Sequence, residues 1–279
     1  MKSTEHFEDP IAAYNRLAPH YPDISHRREP YLRSIEKIIA SCVPPASKSL
    51  LDVGAGDGIR ALRIARECGI RRIVLAEPSL EMAARATGME KIEIKIWNIR
   101  AEELGAKASN CASVRVDVSE AETQEKKDVQ RFDVITCLWN VLGHIRRVED
   151  RERSMRGMAE RLMPGGKCFL DVNHRYNSRS YGVIASAARF IRDSAFYKES
   201  NADVIATWDL GGSSISTHGH VFTDREVRQF SSAAGLSIEE RIVVDYDSGK
   251  IRRFAFEGNL LYVFRRSSRI DSSSAPHTS

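Results

Sequence analysis

The segment that decides the fold of this 279-residue chain is Leu50-Leu51-Asp52-Val53-Gly54-Ala55-Gly56-Asp57-Gly58. Its apolar start is typical of a short buried strand, and glycines follow at alternate positions. Glycine accepts positive φ angles and lets a ligand approach the bare backbone, as a sharp turn from a strand into a helix requires. A dinucleotide fingerprint would have its third glycine at position 59, where Ile59 stands, so the spacing departs from the NAD form.

Apolar runs alternate with helical patterns beyond this segment. We predict strands over residues 50–53, 72–76, 91–97, 132–138 and 166–172, with helices over 59–67, 80–87 and 149–162. Two last strands are predicted over 236–246 and 258–265. Such alternation implies right-handed crossovers, and therefore an α/β fold with a doubly wound, mostly parallel seven-stranded sheet and helices on both faces.

The remaining segments predict additions to this sheet. Residues 10–40 have helical periodicity interrupted over 19–30, and Thr223 to Glu226 has the signature of a capping box. Between the fifth predicted strand and this capping box we predict an amphipathic helix near 181–192 and a hairpin. The hairpin consists of strands 203–209 and 214–222 and turns at Gly211-Gly212. The predicted domains are a helical cover (1–45), a nucleotide-binding core (46–172), an α+β insertion after strand five (173–222), the C-terminal part of the sheet (223–266) and a disordered tail (267–279).

Composition excludes several classes of protein. Lys and Arg number 42 against 38 Asp and Glu, and this net charge of +4 is too small to imply nucleic acid. The five cysteines form no CxxC pair, so we expect reduced thiols and a cytoplasmic protein. No apolar run approaches the roughly 20 residues of a membrane span, so we expect no membrane partner. His218 and His220 share a strand face without a third ligand, so we expect no metal site.

An acidic residue follows the second predicted strand. Glu77 lies close to the separation of about 20 residues from the glycine turn at which a carboxylate reaches the ribose hydroxyls of a bound nucleoside. Its two oxygens can accept hydrogen bonds from two vicinal hydroxyls. The glycine turn and Glu77 together therefore predict a nucleoside-binding crevice.

Four motifs in order carry a family resemblance. LLDVGAGDG (50–58), IVLAEPS (73–79), FDVITCLWNVLGHI (132–145) and LMPGGKCFLDV (162–172) resemble the pattern of the class I S-adenosylmethionine-dependent methyltransferases. The resemblance covers residues 49–172. Within the family, this sequence is similar in particular to the small-molecule methyltransferases. It implies S-adenosylmethionine as cofactor, S-adenosylhomocysteine as product and methyl transfer to an acceptor.

The resemblance also implies roles for individual residues. It places Asp52, Gly54, Gly56 and Gly58 beside the methionine part of the cofactor, Glu77 at the ribose, and Pro78 and Ser79 beside the adenine. Arg100 stands where the family often has an acid, so adenine recognition passes to backbone groups near Ala101 and Glu102. Leu138, Trp139 and Asn140 border the methionine moiety and the acceptor, and Tyr14 and Tyr21 belong to a segment that closes over the cofactor.

The candidates for a general base are His144 and His174, near the carboxyl edge of the sheet, with a purely structural role open for each. The leading hypothesis is methylation of nitrogen or oxygen in a small molecule, with the insertion as acceptor lid. One alternative is tRNA or other RNA methylation through the basic helix with Arg146, Arg147, Arg151, Arg153 and Arg156, together with Arg175, Arg179, Arg189 and Arg192. Others are a cofactor-binding module without catalysis and an NAD-dependent oxidoreductase. Residues 138–140 lack the Asp/Asn-Pro-Pro-Tyr/Phe signature, which disfavours DNA adenine methylation.

Overall fold

The computed structural model describes residues 8–86, 92–105, 114–115, 130–210, 212 and 214–267. The helices are α1 (Pro10–Leu17), α2 (Tyr21–His26), α3 (Glu29–Cys42), α4 (Ile59–Cys68), α5 (Leu80–Ala83), α6 (Val148–Arg161), α7 (Ser178–Tyr181), α8 (Val183–Ala195) and α9 (Asp224–Ala233). The strands are β1 (Ser49–Val53), β2 (Arg72–Ala76), β3 (Glu93–Trp97), β4 (Val114–Arg115), β5 (Phe132–Cys137), β6 (Leu162–Val172), β7 (Asp203–Asp209), β8 (Ser214–His220), β9 (Leu236–Val244), β10 (Ile251–Arg252) and β11 (Asn259–Arg266).

One large sheet organises the molecule, in the order β10-β9-β11-β6-β5-β1-β2-β3-β4. Strands β6, β5, β1, β2 and β3 are parallel neighbours, and β11 runs antiparallel between β6 and β9. The doubly wound, mostly parallel sheet is confirmed. The two-residue strands β4 and β10 raise the strand count above the predicted seven. Strand order reverses at β1, and the crevice at the carboxyl ends of β1 and β5 is where such sheets bind ligands.

Burial on both faces explains why β1 forms. All five of its residues are buried, with Leu51 and Val53 in the core beneath α6 and α9, and Leu50 in the core beneath α3 and α4. Successive side chains of a strand point to opposite faces, so an almost continuous apolar run serves a sheet covered on both sides. This burial fixes the position at which the chain must turn at Gly54.

The N-terminal helices and the hairpin lie over this crevice. Helix α1 contacts both β8 and α5, and α3 packs against α4. Helix α2 occupies part of the predicted interruption, because Pro22 falls in its first turn, where no backbone N–H is needed. The hairpin β7–β8 is confirmed, but its second strand ends at His220, since Val221 turns to bond the carbonyl of Ala202.

Other boundaries differ from those predicted. Helix α5 ends at Ala83, and α8 begins two residues later than expected, after Gly182 at a positive φ of 82°. Strand β6 begins at Leu162, because a register irregularity opposite Phe132 accommodates Pro164 and Gly165. Position 87, Gly211 and the predicted disordered tail beyond Ser267 lie outside the described residues. Within the described ranges, no helix has the length and hydropathy to span a membrane.

Candidate active site

A cavity of about 740 Å³ opens at the carboxyl edge of β1, β2 and β5. Its walls come from the glycine turn, the end of β2, the residues after β5 and the N-terminal helices. The predicted residues that line it are Tyr14, Tyr21, Gly54, Gly56, Glu77, Pro78, Ala101, Glu102, Leu138, Trp139 and His144. The fold therefore brings together most of the residues predicted for the cofactor site, from six separate segments.

The glycine turn is bare on its cavity side and crowded behind. Gly54 has φ 68°, and a Cβ there would lie 2.5 Å from the Val141 methyl groups. Gly56 has φ 60°, and its Cβ would lie 3.3 Å from the Tyr21 hydroxyl oxygen. Both positions therefore require glycine for their backbone conformation, and Gly54 requires it for space as well. Gly58 also has positive φ, but its Cβ would meet Leu75, so Gly58 serves packing behind the cavity.

Glu77 is held in place by backbone donors. Its Oε2 accepts from the Gly56 N–H at 2.8 Å, and its Oε1 accepts from the Ser79 N–H at 2.8 Å. Each carboxylate oxygen keeps further lone-pair capacity for a ligand. Burial raises the pKa of Glu77 to about 7. The side chain is thus fixed at the cavity wall as a hydrogen-bond acceptor.

Asp52 lies behind the glycine turn. Its Oδ1 accepts from the Thr136 hydroxyl at 2.7 Å, whereas its Oδ2 is buried without a hydrogen-bond partner in the described part of the chain. Burial raises the pKa of Asp52 to about 6.

The turn after β5 is strained. Trp139 and Asn140 both have φ 59°, in the left-handed region that bulky residues avoid. The Trp139 N–H donates to Asp171 Oδ2 at 3.0 Å, and the Tyr31 hydroxyl donates to Asp171 Oδ1 at 2.6 Å. The indole N–H of Trp139 donates to the Tyr246 hydroxyl at 3.0 Å. These bonds fix the Trp139 ring against the cavity.

The hydrogen bonds of His144 define its tautomer. His144 Nδ1 lies 3.1 Å from the His218 carbonyl oxygen, which can only accept, so Nδ1 carries the proton. His144 Nε2 therefore accepts from the Tyr14 hydroxyl, 3.1 Å away. Burial lowers the pKa of His144 to about 4, so the imidazole is neutral at pH 7. The cavity therefore contains a Tyr14–His144 pair in which the neutral imidazole accepts a hydrogen bond through Nε2.

Several predicted residues do not line this cavity. Ser79 donates to Asn15 and caps α5, Asp52 and Gly58 lie behind the turn, and Asn140 lines a neighbouring cavity. His174, the other candidate for a general base, lies outside this cavity. Its neighbour Asn173 faces the site, and successive residues of extended chain point oppositely, so His174 lines a separate pocket with Thr223.

Three functional candidates were missed from sequence. Arg60 is buried at the cavity wall with its guanidinium 5.5 Å from the Trp139 ring, and Val141 packs on Gly54. Asp171 holds the strained turn. The position of Asp171 at the end of a buried strand is a signal that could have identified it, whereas an arginine in a first helical turn gives no such signal.

A second cavity of about 360 Å³ adjoins the first. The two cavities share Tyr14, Tyr21, Trp139, His144 and Val204 as lining residues. The second continues between the N-terminal helices and the β7–β8 hairpin, and its further lining includes Leu17, Ile24, Asn140, Asn173, Trp208 and Tyr246. The shared residues form a partition between two adjoining chambers.

The arginines of the RNA alternative do not form a free basic surface. Arg175 is fully buried in an ion pair with Asp193, and Arg179 is paired with Asp245. On α6, Arg151 is buried against Glu199, and most of its basic neighbours have acidic partners. Paired arginines offer little net charge to a phosphate backbone.

The fold and the cavity define an α/β protein of the nucleotide-binding class. A family model described as a methyltransferase domain matches residues 24–241, and the chain belongs to this family. The resemblance of the sequence motifs to the class I S-adenosylmethionine-dependent methyltransferases is thereby confirmed.

Individual relatives are distant. The chain is 29% identical over 156 residues to a ubiquinone biosynthesis O-methyltransferase of Ralstonia nicotianae (55% of this chain, 54% of the relative). It is 30% identical over 128 residues to a dTDP-4-amino-2,3,4,6-tetradeoxy-D-glucose N,N-dimethyltransferase of Saccharopolyspora spinosa (46% and 41%). The matches span about half the length of these relatives. A solved S-adenosylmethionine-dependent methyltransferase from Clostridium acetobutylicum shares the fold, with a TM-score of 0.53 at 14% identity (91% and 99% covered).

Proposed function

We propose that this protein transfers a methyl group from S-adenosylmethionine to a nitrogen or oxygen atom of a small-molecule acceptor. The observation that carries this proposal is the joint placement of the bare Gly54–Gly56 turn and the Glu77 carboxylate on one cavity wall. The family membership and the O- and N,N-methyltransferase relatives support it.

The residues present fit the cofactor. Glu77 would accept from the ribose hydroxyls, and Arg60, at the cavity wall, would pair with the carboxylate of the cofactor. The Tyr21 and Trp139 rings, with centroids 5.7 Å apart, offer π faces to a cationic ligand. The bound cofactor would supply a methyl group on a positively charged sulfur, for transfer by in-line displacement.

The second cavity would hold the acceptor. It adjoins the first through Tyr14, Trp139 and His144, so a molecule there would face the cofactor across the partition. Its volume suits a small molecule rather than a polynucleotide. The predicted role of the insertion as acceptor lid agrees with Val204 and Trp208 of the hairpin lying in its wall.

The Tyr14–His144 pair would receive the proton that a hydroxyl or ammonium acceptor must lose. The Tyr14 oxygen would accept the proton of the acceptor while the Tyr14 proton moves to His144 Nε2. A neutral His144 has the lone pair for this step, and its Nδ1–H stays on the His218 carbonyl. For an acceptor that carries no such proton, the pair would only orient it.

An acceptor screen tests the proposal. Purified protein and methyl-labelled S-adenosylmethionine are incubated with small-metabolite and RNA fractions of a cell extract, with Glu77→Ala protein as control. We expect label in small-molecule fractions that depends on Glu77. Label confined to RNA, or no label with any fraction, would contradict the proposal.

A further inference from the structure

Helix α8 is amphipathic, but it buries polar side chains and exposes apolar ones. Its buried residues are polar, with Ser186 and Asp193 5% and 6% exposed, whereas Ile184 and Ile191 are 87% and 68% exposed. Positions seven apart lie on the same face of a helix, so Ser186 and Asp193 form one inward stripe and Ile184 and Ile191 one outward stripe. A surface helix normally buries its apolar stripe against its own core.

Buried ion pairing fixes this orientation. Arg175 is fully buried; its Nη2 donates to Asp193 Oδ1 at 2.8 Å, and its Nε lies 2.6 Å from Asp193 Oδ2 in the same ion pair. The Tyr176 hydroxyl also donates to Asp193, at 3.1 Å. Rotating α8 to bury its apolar stripe would leave a buried arginine without its carboxylate, at a high free-energy cost. The apolar side of α8 therefore stays outside.

A neighbouring loop extends the exposed apolar surface. Phe254 and Phe256 are exposed, and their rings stack 5.5 Å apart at 7°. The Ser178 hydroxyl donates to the Phe256 carbonyl, and Phe190 of α8 lines the same shallow pocket as Phe256. We name this surface the apolar face; it consists of Val183, Ile184, Phe190, Ile191, Phe196, Ile251, Phe254 and Phe256. Contiguous exposed apolar surface of this kind marks an interaction site.

The charges around the apolar face indicate which kind of partner binds there. Lys198, Lys250 and Arg253 are exposed beside it and have no ion pair in the described part of the chain. Of the acids nearby, Asp193 is buried with Arg175 and Glu199 pairs with Arg151. Glu257 accepts from the Phe254 N–H and has no ion pair among the described residues, so the three cations outnumber it. A second copy docked by a two-fold axis would bring the same cations together, whereas an anionic surface would neutralise them.

We propose that the apolar face docks this protein on a membrane surface rich in anionic phospholipid. Helix α8 would lie in the plane of the interface with Ile184 and Ile191 among the acyl chains, while Lys250 and Arg253 meet the headgroups. The sequence predicts no membrane partner because it lacks a spanning segment, but a surface-lying helix needs none. This docking uses neither cavity, so its failure would leave the proposed methyl transfer untouched.

Vesicle flotation with the full chain tests the docking. We expect at least tenfold stronger binding to phosphatidylcholine vesicles that contain phosphatidylglycerol than to phosphatidylcholine alone, weakening with salt. Ile184→Asp/Ile191→Asp should abolish binding, and Lys250→Glu/Arg253→Glu should remove the preference for phosphatidylglycerol. Leu80→Asp, at another exposed apolar position on α5, is the matched control and should bind like wild type.

Folding of each variant is checked by thermal melting, because the substituted residues are exposed and should not alter it. Absence of vesicle binding by the wild type, or equal binding by wild type and Ile184→Asp/Ile191→Asp, would overturn the proposal. A wild-type dimer in light scattering that Ile184→Asp/Ile191→Asp converts to monomer would also overturn it, in favour of a second copy as occupant.

Discussion

The carboxylate of Asp171 accepts a 3.0 Å hydrogen bond from the backbone N–H of Trp139, and so connects the end of β6 to the left-handed turn that follows β5. The carbonyl of Asp171 also accepts from the Asn140 N–H at 3.2 Å. Two consecutive bulky residues in this conformation need such external support. Asp171 is therefore a positioning residue for the Trp139 ring between the two cavities.

Replacing Asp171 with Asn should destabilise the protein. The amide has one acceptor oxygen, so it can keep the Trp139 N–H only by turning its NH2 group toward the Tyr31 hydroxyl. The Tyr31 proton then loses its charged acceptor, at about 1–3 kcal/mol. Urea denaturation measures the change. Asp247→Asn, at an exposed carboxylate paired with Arg28, is the control and should alter the free energy of unfolding by less than about 0.5 kcal/mol. Equal effects at the two positions would contradict the assigned role of Asp171.

Gly54→Ala should cost more stability than Gly69→Ala. Both glycines have φ near 70°, but nothing lies within 4 Å of a Cβ at Gly69, whereas the Val141 methyls crowd a Cβ at Gly54. We expect about 1–2 kcal/mol for the conformational strain at either position and a further 1–3 kcal/mol for overpacking at Gly54. Urea denaturation of both variants gives the comparison.

A second substitution separates the two contributions. In Gly54→Ala/Val141→Ala the crowding is relieved and the positive φ is not, so the cost beyond Val141→Ala alone should approach that of Gly69→Ala. If the stability loss of the double variant equals the sum of the losses of Gly54→Ala and Val141→Ala, Val141 does not determine the need for glycine at position 54.

The raised pKa of Glu77 predicts a pH-dependent stability. Its pKa is about 7 in the folded protein and about 4.3 in an unfolded chain, so between these values the folded state binds the extra proton. The contribution of Glu77 to the free energy of unfolding is therefore fully present below about pH 4.3 and is lost as pH rises through 7, by up to about 4 kcal/mol. Thermal melts in buffers from pH 5 to 8 should show a decline that is smaller in Glu77→Gln, which keeps only the part due to other raised carboxyls such as Asp52.

The affinity for S-adenosylhomocysteine should rise with pH, whereas stability should fall. Only the Glu77 carboxylate can accept with both oxygens, so S-adenosylhomocysteine should bind more weakly as pH falls below 7. Glu77→Gln should bind weakly at every pH. Wild-type affinity that stays level from pH 5 to 8 would contradict the ribose role of Glu77.

Tyr14→Phe should impair turnover more than cofactor binding. The substitution removes the donor to His144 Nε2 and interrupts proton transfer, which contributes about 10²-fold or more where a proton must leave. Rates with the acceptor found by screening and calorimetric titration with S-adenosylhomocysteine give the two quantities. Tyr181→Phe, outside both cavities, is the control. A parallel loss of both quantities would make Tyr14 a cofactor contact only.

The sequence predicts best what local pattern determines. Strand β2 has its predicted bounds, and the glycine turn and Glu77 meet at the cavity, because burial on both faces and positive φ leave direct signals in residue type. Ile59 and Arg60 show the limit. Ile59 is exposed and Arg60 is buried, because folding assembles around Arg60 the charges of Asp52, Asp57 and Asp171 from separate elements.

Long-range pairing also explains the other differences. The β4 strand has two residues, too few for a periodic signal, and β10 is equally short. The apolar residues of α8 favour a helix that faces the core. Its observed orientation is the opposite, because the ion pair with Arg175 holds Asp193 inward. His144 and His174 have similar local sequence contexts, and only the three-dimensional arrangement separates them.

We propose that the glycine turn and Glu77 together bind an adenosyl group. Calorimetric titration with S-adenosylhomocysteine measures this binding for wild type, Glu77→Ala and the exposed-site control Glu81→Ala at pH 8. We expect binding by wild type and Glu81→Ala, and a loss of about 1.5–3 kcal/mol in Glu77→Ala, from hydrogen bonds to a charged group. Equal affinity in Glu77→Ala and wild type, or no binding by wild type, would contradict it.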